Sequence, residues 1–179
     1  MNSDAANGPA EAPDRLERIW APHRSRYITA NRGSDPFVTA PSLSDEEGLI
    51  IARGRTVFAL LNLYPYNAGH LMVVPYRKTS LLEDLSTEEA NELMHFAQIA
   101  VRALKRVSRP EAINVGFNLG RSAGGSVTDH LHLHVVPRWP GDSNFMTVIS
   151  GTKVMPALLE ETRAALAQAW REVTAEDEH

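Results

Sequence analysis

The stretch Thr128-Asp129-His130-Leu131-His132-Leu133-His134-Val135-Val136-Pro137-Arg138 decides how this chain is read. Three histidines alternate with apolar residues, and a period of two is that of a half-buried β-strand, whose successive side chains point to opposite faces. One face then carries His130, His132 and His134, while Leu131, Leu133 and Val135 pack on a core. A merely structural strand would put mixed polar residues on its wet face, so three imidazoles in a row point to chemistry.

A neutral imidazole is a competent nucleophile near neutral pH, because its ordinary pKa is about 6.5. His132, flanked on both sides, is the best candidate for the reacting group. Just upstream, Gly124-Gly125-Ser126 can bring backbone N–H groups close to a phosphate, since glycine has no side chain to block the approach. The Ser126 hydroxyl can protonate a leaving oxygen. The rival reading is a metal site, because imidazoles at i and i+2 of a strand can bind one zinc ion. A third at i+4 lies roughly 13 Å from the first in an extended strand, too far to share that ion. An unreactive histidine face is the third possibility, and the stretch by itself leaves all three open.

Working outward, Gly48 to Arg53 and Arg55 to Leu63 read as two strands joined at Arg53-Gly54-Arg55, with glycine supplying the turn. Tyr64-Pro65-Tyr66-Asn67-Ala68-Gly69 ends the second, and His70 to Val74 forms a third before Pro75. These strands are almost wholly apolar, which predicts cover on both faces by helices or a partner subunit. Ser86 with Glu89 is a capping box, and Ala90, Leu93, Met94, Ala97, Val101 and Leu104 recur behind it at helical spacing. Glu88 and Glu89 open that helix and Lys105 and Arg106 close it, which suits the macrodipole. Ala112 to Leu119 is a further strand with Asn114, Gly116 and Asn118 on one face. If it pairs antiparallel with the histidine strand, the Asn/Gly face and the His face coincide as one polar strip.

A final amphipathic helix starts near Pro156 and carries Leu158, Thr162, Ala165, Leu166, Ala169 and Val173. Residues 1–13 have almost nothing to bury and are expected to be a disordered tail. Leu16, Ile19 and Trp20 make a short helical stripe stopped by Pro22. Asn31 to Ser44 reads as irregular loop, Thr147 to Ser150 as a short strand, and residues 175–179 as a frayed end. The expectation is a single domain over residues 14–174, without internal repeats.

Composition sets the outer bounds. The chain has 179 residues, 43% of them hydrophobic and 22% charged, which suits one soluble domain with a real core. A formal net charge of −4 argues against a protein that coats nucleic acid, although a local basic patch could hold phosphates. The absence of cysteine excludes disulfides, thiolate nucleophiles and cysteine-based zinc sites. No apolar run is long enough to span a bilayer, and the first residues lack a basic start followed by a hydrophobic block. A cytoplasmic protein with neither membrane nor nucleic acid as partner is expected.

His-Leu-His-Leu-His-Val-Val at 130–136 resembles the signature of the histidine-triad (HIT) family. Phe58-Ala-Leu-Leu-Asn62 and Gly69-His70-Leu71-Met72-Val73-Val74-Pro75 are similar to the nucleotide-binding strands of its Fhit branch, and the likeness runs from about Gly48 to Phe145. It implies an α+β fold: a largely antiparallel five-stranded sheet with helices packed on it, joined to a second copy across a dimer two-fold. It implies His132 as the nucleophile that becomes adenylylated, His134 and His70 as its supports and phosphate binders, and His130 as the group that orients its ring. Asn62 would contact a ribose hydroxyl, Phe58 and Leu60 would stand at the nucleotide, and Ser126 would meet the phosphate or leaving group.

Two departures from the pattern are informative. Fhit-like hydrolases usually have glutamine at the place of Gly125, so glycine leaves room there. Some relatives carry a zinc-binding Cys-Pro-x-Cys near the start, where this chain has Asp35-Pro36-Phe37-Val38, so no metal is expected. The stretches Leu43–Gly48, Asn62–Asn67 and Asn118–Ser126 most resemble bacterial HIT-fold diadenosine tetraphosphate phosphorylases. That likeness implies a dinucleoside polyphosphate and inorganic phosphate as partners. The missing glutamine, and the face that Asn118 shares with the histidines, lead to the expectation that the phosphate is held by Asn118, Gly124, Gly125, Ser126 and His134. No tightly bound cofactor is implied, although Mg2+ could neutralise the polyphosphate. Hydrolysis at the same site, or nucleotide sensing, is the alternative.

Each residue also has a plainer reading. Gly124 and Gly125 can simply turn the chain, Asn114 and Asn118 can satisfy strand-edge backbone, and a lone His70 at a strand start is commonly structural. Trp139 is either a core or dimer anchor or a surface on which adenine stacks. Arg138 and Lys153 could attract a polyphosphate, and His23 and His95 belong to no motif.

Overall fold

Five strands form where the apolar runs predict them: β1 (Ile50–Arg53), β2 (Val57–Leu61), β3 (Leu71–Pro75), β4 (Ala112–Phe117) and β5 (Leu133–Arg138). They make one antiparallel sheet in the order β1-β2-β3-β5-β4. The computed structural model describes residues 35–124, 127–142 and 157–177. The tail at 1–13, the stripe at 16–20, the strand at 147–150, and His23, Gly125, Ser126 and Lys153 lie outside the described residues.

Helices α1 (Pro36–Thr39), α2 (Thr87–Ser108) and α3 (Leu159–Glu176) complete the described fold. The Ser86 capping box is formed on both sides, and α2 presents Leu93, Phe96, Ile99, Ala100, Ala103 and Leu104 to the sheet. Trp170 of α3 packs on the Phe96 ring at 5.0 Å. Both long helices cover one face, against Ile51, Val57, Ala59, Leu61, Leu71, Val73, Leu133 and Val135. On the opposite face Phe37 and Ala40 cover Ile50, Phe58, Leu60, Met72 and Val74. Cover on both faces is therefore real for β1 to β3, but the second cover is a short N-terminal segment.

Four details differ from the sequence reading. Asn31 to Ser44 is not all loop: Asp35 accepts the Phe37 N–H at 3.0 Å and Pro36 occupies the first helical turn, which starts α1. Ala90 and Met94 face outward, so the apolar stripe drawn from spacing mixes two faces of α2. The C-terminal helix persists through Glu176 because Arg106 and Arg102 of α2 pair with Glu176 and Asp177.

Gly54 is needed for close approach rather than for a turn, since its backbone is not left-handed. A Cβ there would lie 2.6 Å from Glu92 Oε1 and 2.7 Å from Phe96 Cζ. Glu92 uses that closeness to accept the N–H groups of Arg55 (2.8 Å) and Thr56 (2.6 Å), tying the β1–β2 turn to α2. Gly54→Ala is expected to cost about 1–3 kcal/mol by overpacking, read from thermal melting against a Gly116→Ala control, where a Cβ meets nothing within 4 Å. A neutral Gly54→Ala would contradict this account.

Candidate active site

β5 is shorter than the alternating stretch that contains it. Its ladder with β3 ends at the pair Val73–Leu133. Pro75 has no N–H to continue it, and the Pro75 carbonyl instead accepts the ring N–H of His130 at 2.8 Å. Leu131 turns away and donates its N–H to the Thr79 carbonyl. His130 and His132 thus stand just before the strand and His134 within it. All three are buried rather than wet, at 1%, 7% and 9% exposure. The pairing of Gly116 with His134 and of Asn114 with Val136 lays the Asn/Gly face of β4 beside the histidines, as the alternation predicts.

Hydrogen bonds fix where each ring carries its proton. His132 Nδ1 lies 2.8 Å from the His130 carbonyl, which can only accept. The hydrogen is therefore on Nδ1, and the lone pair on Nε2 has no partner among the described residues. Burial pulls the His132 pKa below the ordinary histidine value, against the opposing pull of the His130 carbonyl. A neutral ring with a fixed Nδ1–H and an unoccupied Nε2 is what a nitrogen nucleophile requires.

A second chain of bonds runs through His70. The Tyr66 N–H donates to His70 Nδ1 at 3.0 Å, so a neutral His70 bears its hydrogen on Nε2. It is neutral, because burial first, and then His134 and His132, push its pKa down to about 3. His70 Nε2–H donates to His134 Nδ1 at 3.0 Å, which leaves the His134 hydrogen on Nε2. That N–H points to the Asn118 amide 3.2 Å away, which meets it when turned so that its oxygen accepts. His134 thus presents an N–H beside His132, their ring centroids 4.7 Å apart.

Beside His134 opens a cavity of about 430 Å³ lined by Tyr66, Asn114, Gly116, Asn118, His134 and Arg138, and His132 is not among the residues that line it. Asn62 borders His70, its Nδ2 3.4 Å from Nδ1, while its Oδ1 accepts the Tyr64 N–H at 2.9 Å. Gly124 adopts a left-handed conformation (φ 86°), which its residue type permits, and a Cβ there would touch nothing, so its requirement is conformational. Phe58 and Leu60 sit in the second core cluster, Phe58 with no exposed surface and stacked on Tyr76 at 5.1 Å. Neither lines the cavity beside His134.

Trp139 is not brought to the histidines. Seven residues of extended chain put it roughly 23 Å from His132, and its indole N–H donates to the Ser108 carbonyl at the end of α2. Arg138 is committed to Asp142, at 2.5 Å and 3.0 Å. His95 is exposed on α2. Sequence reasoning missed Asp35, which meets His130 Nδ1 at 3.1 Å, and Phe37, whose ring lies 4.9 Å from that of His132. The only signal was their position where some relatives carry metal-binding cysteines. Among the described residues no three His, Cys, Asp or Glu side chains are grouped to hold a metal ion.

A five-stranded antiparallel sheet bearing a buried His-x-His-x-His cluster with one free imidazole nitrogen defines a class. Residues 45–141 match the HIT domain, more than half of the chain, and the chain belongs to the HIT family. It is 56% identical over 167 residues to the AP-4-A phosphorylase of Mycobacterium tuberculosis, covering 88% of this chain and 86% of that one. It is also 36% identical over 91 residues to the bis(5'-adenosyl)-triphosphatase of Saccharomyces cerevisiae, covering 50% of this chain and 44% of that one. A crystal structure of a zinc-bound histidine triad family protein from Mycobacterium smegmatis superposes with a TM-score of 0.59 at 25% identity, covering 72% of this chain and 87% of that one. No helix among the described residues is long and apolar enough to cross a membrane.

Proposed function

We infer that this protein is a nucleotidyl transferase that cleaves diadenosine tetraphosphate by phosphorolysis. The observation that carries the reading is the His132 ring, neutral, with Nδ1–H tied to the His130 carbonyl and Nε2 left for attack. Nε2 forms a bond to the α-phosphorus, the bond from that phosphorus to the bridging oxygen breaks, and ATP leaves with a proton from Ser126. Inorganic phosphate then displaces the adenylyl group from His132 as ADP. The His134 Nε2–H, which exchanges its Asn118 partner for the incoming phosphate, holds it together with Asn118, Gly124, Gly125 and Ser126, and Asn62 holds a ribose hydroxyl. Support comes from the high identity to the mycobacterial phosphorylase and from the glycine at position 125, where Fhit-like hydrolases usually carry glutamine.

The yeast relative supports a second reading, hydrolysis to ATP and AMP on the same histidine. Incubation with diadenosine tetraphosphate, with and without phosphate, separates them. ATP plus ADP only with phosphate is the expected outcome, and ATP plus AMP regardless of phosphate overturns it. Because the His132 pKa lies below the ordinary value, the single-turnover adenylylation rate is expected to stay flat from about pH 8 to 6.5, with its acid limb below 6.5. A limb centred above 6.5 would contradict a depressed pKa.

The reading includes a homodimer. β4 is an edge strand whose Val115 is 46% exposed, and beside it Met94, Ala97 and Val101 of α2 line an apolar groove. A second copy that pairs the two β4 edges covers both features at once. Val115→Arg is expected to give a monomer by sedimentation, and an unchanged dimer would move the interface elsewhere.

A further inference from the structure

Asp35 stands at the foot of α1 with both oxygens engaged. Oδ1 accepts the Phe37 N–H at 3.0 Å, while Oδ2 lies 3.1 Å from His130 Nδ1 and 3.0 Å from Lys78 Nζ. Burial pushes the Asp35 carboxyl up, but Lys78, His130 and the Phe37 amide together outweigh it and hold the group below its usual value, so it is ionised. The other nitrogen of the buried His130 ring faces the Pro75 carbonyl. Both of its nitrogens therefore meet oxygens that can only accept, and the ring satisfies both only with a hydrogen on each.

The same residue's carbonyl is what fixes the tautomer of His132. Phe37, two residues beyond Asp35, packs on the His130 ring at 5.6 Å and on the His132 ring at 4.9 Å. We propose that Asp35, with Lys78 as its counter-ion, is a positioning residue for the nucleophile: it fastens the His130 ring at both nitrogens, holds the His130 carbonyl under His132 Nδ1 and seats Phe37 against the His132 ring. The cluster does not fit a metal. The Asp35 oxygen that a cation would need is shared by an ammonium and an imidazole N–H, and the chain has no cysteine. An internal ion triad does the holding.

The kinetic arm of the test rests on the adenylyl-transfer reading and the spectroscopic arm does not. Ring-nitrogen NMR of the full chain is expected to show a His130 Nδ1–H hydrogen-bonded to a carboxylate, and Asp35→Asn to move that signal upfield. In the same variant kcat with diadenosine tetraphosphate is expected to fall roughly 10- to 100-fold while KM stays within about threefold. Asp35→Glu recovers part of the rate, and Lys78→Met, which keeps the Asp35–His130 pair, loses less than Asp35→Asn. A His130 Nδ1 that carries no hydrogen in the parent protein overturns the proposal. So does wild-type turnover by Asp35→Asn, or a loss of rate that only matches its unfolded fraction. If the parent protein turns over no dinucleotide, the phosphorolysis reading has failed, and the NMR comparison alone decides the role of Asp35.

Discussion

His132→Asn is expected to lower turnover of diadenosine tetraphosphate by at least about 10⁴-fold, because removing a nucleophile removes the covalent route altogether. Asparagine is the informative replacement. Its amide can still donate to the His130 carbonyl, so the local fold survives, but its amide oxygen is a far weaker nucleophile than the imidazole nitrogen it replaces. Mass spectrometry after rapid quench is expected to find adenylyl-protein in the parent chain without phosphate and none in the variant. An adenylylated His132→Asn chain would move the nucleophile to another residue.

The second large effect belongs to His134. His134→Phe keeps the ring volume and removes both nitrogens, so kcat is expected to fall about 10²- to 10⁴-fold through loss of the N–H that the phosphate takes over from Asn118. It also strands the His70 Nε2–H, a buried donor left without its acceptor, at a cost of about 1–3 kcal/mol. Both losses are measurable separately, the first by single-turnover kinetics and the second by thermal melting. His134→Gln, which offers an N–H and an acceptor on one side chain, is expected to recover part of each. Equal kcat in the Phe and Gln variants would mean that the His134 N–H does not act on the phosphate.

Much of this was legible in the sequence, for identifiable reasons. The capping box at Ser86 and the two charged ends of α2 are local chemistry, so α2 could be delimited from the chain alone. The alternation of β4 with β5 predicted the shared polar face, because pairing in an antiparallel sheet puts opposed residues on the same side. What spacing could not supply was contact between distant segments. Asp35 and His130 are far apart in the chain, and nothing local to either announces the other. Gly54 read as a turn residue because the sequence does not reveal that Phe96 approaches it from a helix. Likewise the stripe on α2 carried Ala90 and Met94 with the core residues, since periodicity reports apolar faces without saying which element covers them.

Pro75 has a consequence for folding as well as for the site. Strand side chains alternate, so a slip of β5 by one residue would carry all three histidines into the layer beneath the helices and expose Leu131, Leu133 and Val135. Such a chain could still be compact, yet it would be inert. The ladder stops at Leu133 because Pro75 offers no hydrogen beyond it, and its carbonyl is taken by the His130 ring, which fits in one register alone. A missing N–H on a neighbouring strand thus acts as a ratchet stop, and correct seating of the nucleophile is settled as the strands dock.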